Sequence, residues 1–547
     1  MKKMLSLVLA LMLMLSMVPA ALANDNFNAD GELPLFKEKV KLTIGVPANA
    51  NVIDFNTNDM TLYYEELTNV DLEFVAYTSE MNTQLTMAIT AGTELPDILF
   101  TKGVSTDLMY QWAQAGALLP LNEYIEKYGH YTADAIERTG ADFISMMTSP
   151  DGNVYTLPSF NQSLTNECMD RIWFYRPWME KLNLELPTNP EELYNVLKAF
   201  KEQDPNGNGE ADEIPLMSHN SAPGVDGESD SWWRAIMNMF MYYPMNNYSV
   251  NDGVVSYAAI SDSYREGLKY IRKLFDEGLI DPMSFTADEA QLKALVTAEV
   301  PVIGLTIGYD AEVTLLSEED KLWVMASPFK NAEGEMQTSF RASVPKPITM
   351  ITADCDDPEA AFRFCDFLYN LDHCVAVQFG MKGPNWVWAS EEDTSKFYYL
   401  GDGFEPTFRI IDNPFGTVQN ACWHSTGHFA RAKKIAAGTV MDITDEIKLT
   451  DELKQNVHYA DYFNAYPEEG EYIPMLIYTA EETDAVAMIR ADLESYLNTA
   501  RTAFMLNKDG MDVYSDEAWN AYLEQCKVIG IDKVTEVMQS AYDRMYK

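Results

Sequence analysis

The sequence is poor in cysteine, poor in cationic side chains relative to acidic ones, and, beyond its first two dozen residues, lacks any long apolar run. Six cysteines in 547 residues (Cys168, Cys355, Cys365, Cys374, Cys422, Cys526), with no CxxC pair, exclude a disulfide-stapled scaffold. They read as buried free thiols, since cysteine packs as a small hydrophobe. Lys and Arg number 39 against 84 Asp and Glu, a formal net charge of −45. Nucleic acid needs Lys and Arg to displace counterions from its phosphates, so it is excluded as a partner, and the same repulsion opposes an anionic lipid surface. There is no GxSxG, HExxH, GxGxxG or P-loop. His424 and His428 are spaced i, i+4, but Ser425, Thr426 and Gly427 between them are poor helix formers and no third ligand follows, so no metal site is expected there. The run Glu481-Glu482-Thr483-Asp484 reads as a solvated helix start rather than an acid/base pair. No repeat, low-complexity tract or Gly/Ser linker interrupts the chain.

What is present is a folded globular composition, 47% hydrophobic and 12% aromatic, long enough for roughly three domain-sized units. Residues 1–23 form a secretory signal. Lys2 and Lys3 are its positive start, Leu5 to Val18 its apolar core, and Ala21-Leu22-Ala23 its cleavage pattern, leaving Asn24 as the mature start. No lipid-attachment cysteine follows, so the mature protein is expected free in an extracytoplasmic space. Alternating β-rich stretches at 39–46 and 70–77 and a short apolar run at 96–100 predict strands. Helical spacing predicts helices over 57–69 (cap Thr57 or Asn58), 82–91 (stopped by Gly92), 107–115 and 121–128. Such alternation specifies a parallel sheet covered on both faces, with ligands received beyond the carboxyl ends of its strands. Further helices are expected over 190–203, with Asn189 as N-cap and Pro190 at its first position, over 264–277 and over 357–369. A strand is expected at 300–305, and the tail from about 482 reads as helical.

Three runs stand out in the first part of the chain: Ala91-Gly92-Thr93-Glu94-Leu95-Pro96-Asp97-Ile98, Gly116-Ala117-Leu118-Leu119-Pro120-Leu121 and Asp151-Gly152-Asn153-Val154-Tyr155-Thr156-Leu157-Pro158. They are followed by Trp178-Met179-Glu180-Lys181-Leu182 with Pro187-Thr188, the acidic loop 204–215, Pro358-Glu359-Ala360-Ala361 and Trp519-Asn520-Ala521-Tyr522. In this order and spacing the chain resembles the large extracellular solute-binding proteins that feed carbohydrate importers of the ABC type, in their lipoprotein and alginate-oligosaccharide-binding branch. The resemblance implies an α/β, two-lobed periplasmic-binding-protein-like clamp of type II, helix-rich, with a hinge of several crossing segments. By analogy, 24–39 is a linker, lobe one is 40–155 plus 300–372, and lobe two is 156–299 plus 373–547.

The loop Asp204-x-Asn206-x-Asn208-Gly209-Glu210-x-Asp212-Glu213 has the first half of an EF-hand pattern, but Pro215 stands at position 12, so the strict motif fails. A plain Asx-rich turn is the alternative. The resemblance implies a shortened structural calcium site, with side chains from Asp204, Asn206, Asn208, Asp212 and Glu213 and the carbonyl of Glu210.

Sugar rings pack on flat aromatic faces while their hydroxyls need short polar partners. Trp173 and Tyr175, Trp232 and Trp233, Asn385 with Trp386 and Trp388, and Trp423 combine such groups, although Trp is more often a core residue. Asn49, in the loop after the first strand, is a further polar candidate. An acidic sugar would need a cation such as Arg171, Arg176, Arg234 or Arg341. The expected function is capture of an oligosaccharide by lobe closure and delivery to a membrane permease, by a monomer that breaks no bond. A peptide receptor and a secreted glycosidase or polysaccharide lyase are the alternatives.

Overall fold

The computed structural model describes residues 26–547 except 79, 164–166, 220–231, 245–246, 309–321, 392–396, 399–404, 443–460, 463, 468–471 and 474–475. The leader 1–23 and Asn24 lie outside the described residues. Among those described, no helix is long and apolar enough to cross a membrane.

The local chemistry of the sequence sets the early elements. Strand Val40–Pro47 pairs in parallel with both Val70–Tyr77 and Ile98–Phe100. Asn58 caps helix Asp59–Thr68 by accepting from the Met60 N–H, and Gly92 ends helix Met81–Ala91 at φ +65°, its N–H returned to the carbonyls of Ala88 and Ile89. Asn189 and Asp357 cap the helices Pro190–Glu202 and Pro358–Phe367, each with proline at the start. Asp97, from the first motif, accepts from both the backbone N–H and the hydroxyl of Thr43 at 2.8 and 2.6 Å, lacing strand to strand.

Six strands make the first sheet, in the order 430–431, 157–161, 346–351, 98–100, 40–47, 70–77. The period of two along a strand divides its side chains: Ile98 and Phe100 enter one core, Leu99 a smaller one on the opposite face. A second sheet of four strands, in the order 323–326, 171–175, 303–308, 214–216, lies in a separate core with the C-terminal helices Ala480–Leu506, Asp516–Ile529 and Ile531–Tyr546. The two cores belong to the two lobes.

The division of the chain differs from the analogy. Strands Ile303–Gly308 and Trp323–Ala326, expected with lobe one, both pair with Arg171–Tyr175 and pack in the second core. Conversely, Val375, Trp386, Phe408, Trp423 and Ile435, expected in lobe two, pack in the first core. A β-rich run states that it is a strand, not which sheet it joins. Residues 24–39 are no free linker either: Leu35 and Phe36 are buried in the first core, and Asp30 pairs with Arg363 at 3.0 Å. All six cysteines are free and buried.

Candidate functional site

The carboxyl ends of the two sheets converge on the segments joining them. In the first sheet, 40–47, 70–77 and 98–100 are parallel. The 346–351 strand runs against both 98–100 and 157–161, and 430–431 runs with 157–161. Asn49, Lys102, Asn161 and Arg431 therefore sit at or beyond one edge. In the second sheet, 303–308 and 323–326 run against 171–175, and 214–216 runs with 303–308. Their carboxyl ends lie where Arg171 begins. Among the described residues, Asn161, the start of the 346–351 strand and Arg431 stand at the first-sheet edge, and Arg171 and the end of the 323–326 strand at the second, so the segments that follow or precede them lie between the two sheets.

On the first-sheet side, the 48–53 loop meets a turn at 415–425. Asn49 Nδ2 lies 3.3 Å from His424 Nδ1, Asn51 Nδ2 lies 3.1 Å from His424 Nε2, and the Gly416 backbone N–H donates to Nε2 at 3.2 Å. Phe415 stacks on the imidazole, centroids 4.3 Å apart and planes 9° from parallel. Burial lowers the basicity of His424, and the charge of Lys102 lowers it further.

At the crossings, Glu167 accepts from the Ser343 hydroxyl at 2.7 Å and lies 3.8 Å from Lys433 Nζ. Burial raises the Glu167 carboxyl and lowers the Lys433 ammonium, both toward neutrality. Phe340, half-buried, packs against Tyr466 and Tyr472 at 4.5 and 4.9 Å, and Lys433 lies 5.2 Å from the Tyr466 ring centroid. No Trp-centred motif marks this aromatic group, and Phe340 lies more than a hundred residues before Tyr466 and Tyr472, so no local pattern links the three.

The expected aromatic contacts have other duties. Trp386 and Trp423 have no exposed surface. Trp386 donates to the Gly380 carbonyl at 2.9 Å, and Trp423 to Thr61 Oγ1 at 2.8 Å amid Tyr64, Phe74 and Phe100. Trp173 and Tyr175 are buried in the second sheet, Tyr175 against Trp178 and Trp323. Trp232 is buried and donates to the Ser284 carbonyl. Trp233 is buried beneath Arg501, whose guanidinium carbon is 4.1 Å from the ring centroid. Asn385 ties a turn by accepting from the Met381 N–H, and half-buried Trp388 donates to Asp372 at 2.8 Å. Of the aromatic and amide candidates, Asn49 alone stands at the carboxyl end of a first-sheet strand. Among the arginines, Arg171 and Arg234 are buried; Arg171 donates to the Cys168 carbonyl and Arg234 to Asp170. Arg176 and Arg341 are half-exposed. His428 lies in the core between Thr349 Oγ1 and the Cys365 carbonyl, so it shares no partner with His424.

The 204–213 loop is a tight turn wound around Asp204, which accepts from the Gly207 and Gly209 N–H groups at 2.8 and 3.1 Å. Asn206 and Asn208 donate to the two oxygens of Asp212 at 2.9 and 3.0 Å. Glu213 Oε1 is buried with no hydrogen-bond partner, and burial raises its carboxyl, with Asp212 and Asp204 adding to the shift. Among the described residues no group of three or more His, Cys, Asp or Glu side chains forms a metal-holding array. A cation here would depend on the carboxamides and the Glu210 carbonyl as well.

The model of the family "Bacterial extracellular solute-binding protein" matches residues 53–372. The chain is 25% identical over 495 residues to the "Fructooligosaccharide ABC transporter substrate-binding protein FusA" of Streptococcus pneumoniae serotype 4, covering 88% of this chain and 86% of that one. Two solved structures of FusA are similar in fold. One, in complex with kestose, has a TM-score of 0.67 at 23% identity, and the other, an EF-hand mutant in complex with fructo-nystose, has 0.69 at 22%. The first covers 93% of this chain and 99% of its own, the second 92% and 99%. An "HMO binding ABC-transporter associated Solute Binding Protein" from Bifidobacterium longum infantis has a TM-score of 0.72 at 18% identity, covering 92% of this chain and 99% of its own.

Proposed function

Since the chain belongs to the bacterial extracellular solute-binding protein family, we propose that it captures an oligosaccharide between its two lobes and passes it intact to the membrane permease of an ABC importer. One observation carries the reading: both sheets turn their carboxyl edges toward the described segments that join them, among them 326–346, so a ligand held there touches both lobes at their hinge. A ligand that contacts both lobes shifts the population toward the closed form by its differential affinity, with no covalent step. Asn49 supplies a carboxamide from the first lobe, and the Phe340, Tyr466 and Tyr472 rings supply apolar faces beside the crossings. The relatives named above are substrate-binding proteins, and FusA is named for fructooligosaccharides. The leader supports action outside the cytoplasm.

The acidic loop completes the reading. Calcium takes six to eight hard oxygens on a tightly turning backbone. Asp204, Asn206, Asn208, Asp212, Glu213 and the Glu210 carbonyl supply them, and the unpartnered Glu213 oxygen is the atom a cation would satisfy. Bound there, calcium would supply a fixed charge that pins the loop, with no part in ligand chemistry.

The test is a thermal-shift panel of neutral fructo-oligosaccharides, other neutral oligosaccharides, uronate oligomers and peptides. A rise in melting temperature with at least one oligosaccharide class and none with peptides supports the reading. Stabilisation by peptides alone contradicts it.

A further inference from the structure

We propose that His424 is a positioning residue of the first lobe: its neutral imidazole accepts at Nε2 and ties the Asn49–Asn51 loop to the Phe415–Gly416 turn, so that protonating this one nitrogen frees the loop and weakens ligand capture. The inference rests on the oligosaccharide-binding reading above.

One donor at this ring has a role that cannot reverse. The Gly416 backbone N–H points at His424 Nε2 from 3.2 Å. A neutral imidazole has one acceptor nitrogen and one N–H. Nε2 is therefore the acceptor, and the proton sits on Nδ1. With Nε2 a lone pair, Asn51 must turn its NH2 group toward the ring, at 3.1 Å. Asn49 is fixed separately, because its Oδ1 accepts from the Asn51 N–H at 3.0 Å. Its NH2 group then faces a protonated Nδ1 across 3.3 Å, donor against donor. That contact is no hydrogen bond, so the ring takes up neither amide hydrogen of Asn49. The tie thus leaves them to a ligand hydroxyl or ring oxygen that reaches the loop after the first strand.

The backbone aims the ring. His424 and Ser425 stand consecutively in left-handed conformations, at φ +51° and +60°. For non-glycine residues this is strained, and it persists where the surroundings impose it. Here they do: Trp423 before the step has no exposed surface, His428 after it is equally buried, and the Ser425 N–H is bonded to the Val377 carbonyl at 2.8 Å. Phe415 covers one face of the imidazole.

Protonation at Nε2 would set a new N–H against two donors at once. The charge balance opposes it as well. The loop after the first strand presents Asn49 and Asn51, the 415–416 turn presents a phenyl ring and a backbone amide, and the charged group acting on the ring is Lys102. Burial and Lys102 both lower the basicity of the ring.

Two readouts test this. In histidine-labelled protein, long-range ¹⁵N correlations should show His424 as the Nδ1–H tautomer at neutral pH. Its titration should have a midpoint below that of an ordinary histidine, and the Gly416 amide should move with the same midpoint. An Nε2–H tautomer, or a Gly416 amide that ignores the titration, overturns the proposal even if no sugar is bound. The second readout is oligosaccharide affinity by calorimetry against pH. Wild type should lose affinity with the His424 midpoint. H424A should bind about tenfold or more weakly at neutral pH with no such step, and H424Q, which keeps a non-titrating acceptor, should recover part of that loss. An H424A affinity and pH profile equal to wild type contradicts the tie. If H424A does not fold, H424Q and the wild-type profile decide. Failure of wild type to bind any oligosaccharide, with the tautomer and co-titration as stated, defeats the functional reading and leaves the tie standing.

Discussion

Arg234 holds Asp170 in a two-point ion pair, Nε to Oδ2 at 2.7 Å and Nη2 to Oδ1 at 3.1 Å, with both residues all but sealed from solvent. Asp170 lies in the first crossing, just before the second sheet begins, and Arg234 lies on the short helix Trp232–Met237. The arginine that could have met an acidic sugar is instead committed to fixing where the hinge enters the second lobe.

Removing one partner of such a pair leaves the other charge buried without compensation, at about 3–5 kcal/mol. R234M should therefore lower the urea midpoint strongly, and the double variant R234M/D170L should recover much of the loss. Equal stability of R234M and wild type would show that the pair contributes nothing to the hinge.

His373 and His428 are fully buried in the first lobe, and burial lowers both imidazoles from the ordinary 6.5 to about 3. A base with a depressed folded pKa binds its proton more readily when unfolded. Its stabilisation is complete above about pH 6.5 and drains away as pH falls toward 3. Asp366 has the opposite sign: burial raises its carboxyl from 3.8 to about 6, so its contribution is lost as pH rises through that range. Between about pH 6 and 4 these three groups alone contribute a loss of about 1.4 kcal/mol per pH unit on acidification, two histidines against one carboxyl. Chemical denaturation of wild type and of H373Q/H428Q across that range isolates the histidines, and a wild-type slope no steeper than the variant's refutes the assignment.

Helix ends, strands and the cysteines' state were readable because they depend on neighbours in sequence. Asn58, Asn189 and Asp357 cap helices, Gly92 stops one, and the cysteines lie buried as thiols. The sheet that Ile303–Gly308 joins was not readable, because its pairing with Arg171–Tyr175 on one side and Ile214–Leu216 on the other is decided by partners far along the chain. The site divides in the same way. The position of Asn49 at the carboxyl end of the first strand follows from strand order alone, whereas Trp386 and Trp423 went to the core because a large ring is most stabilising where it is fully desolvated. Phe340 shares no local pattern with Tyr466 and Tyr472, and tertiary folding alone brings it to them.

If Trp423 is a core residue, truncating it opens a cavity. W423A should cost about 3–5 kcal/mol by denaturant unfolding, and ligand should leave the fluorescence of Trp423 unshifted in a variant that keeps it as the sole tryptophan of the first lobe. A ligand-dependent shift from that ring would place it in contact with sugar.

Calcium should raise the melting temperature of the sugar-free protein, and a chelator should reverse the rise. D212N and E213Q should each reduce or abolish the response while leaving oligosaccharide affinity in chelator unchanged. No response to calcium or chelator would leave the 204–213 loop a plain Asx-rich turn.

The central claim is tested most directly by equilibrium dialysis of the mature protein against a labelled neutral oligosaccharide, followed by chromatography of everything recovered. The account predicts saturable retention of about one sugar per chain, all of it the length that went in. Shortened products, or no retention of any oligosaccharide tried, would contradict it.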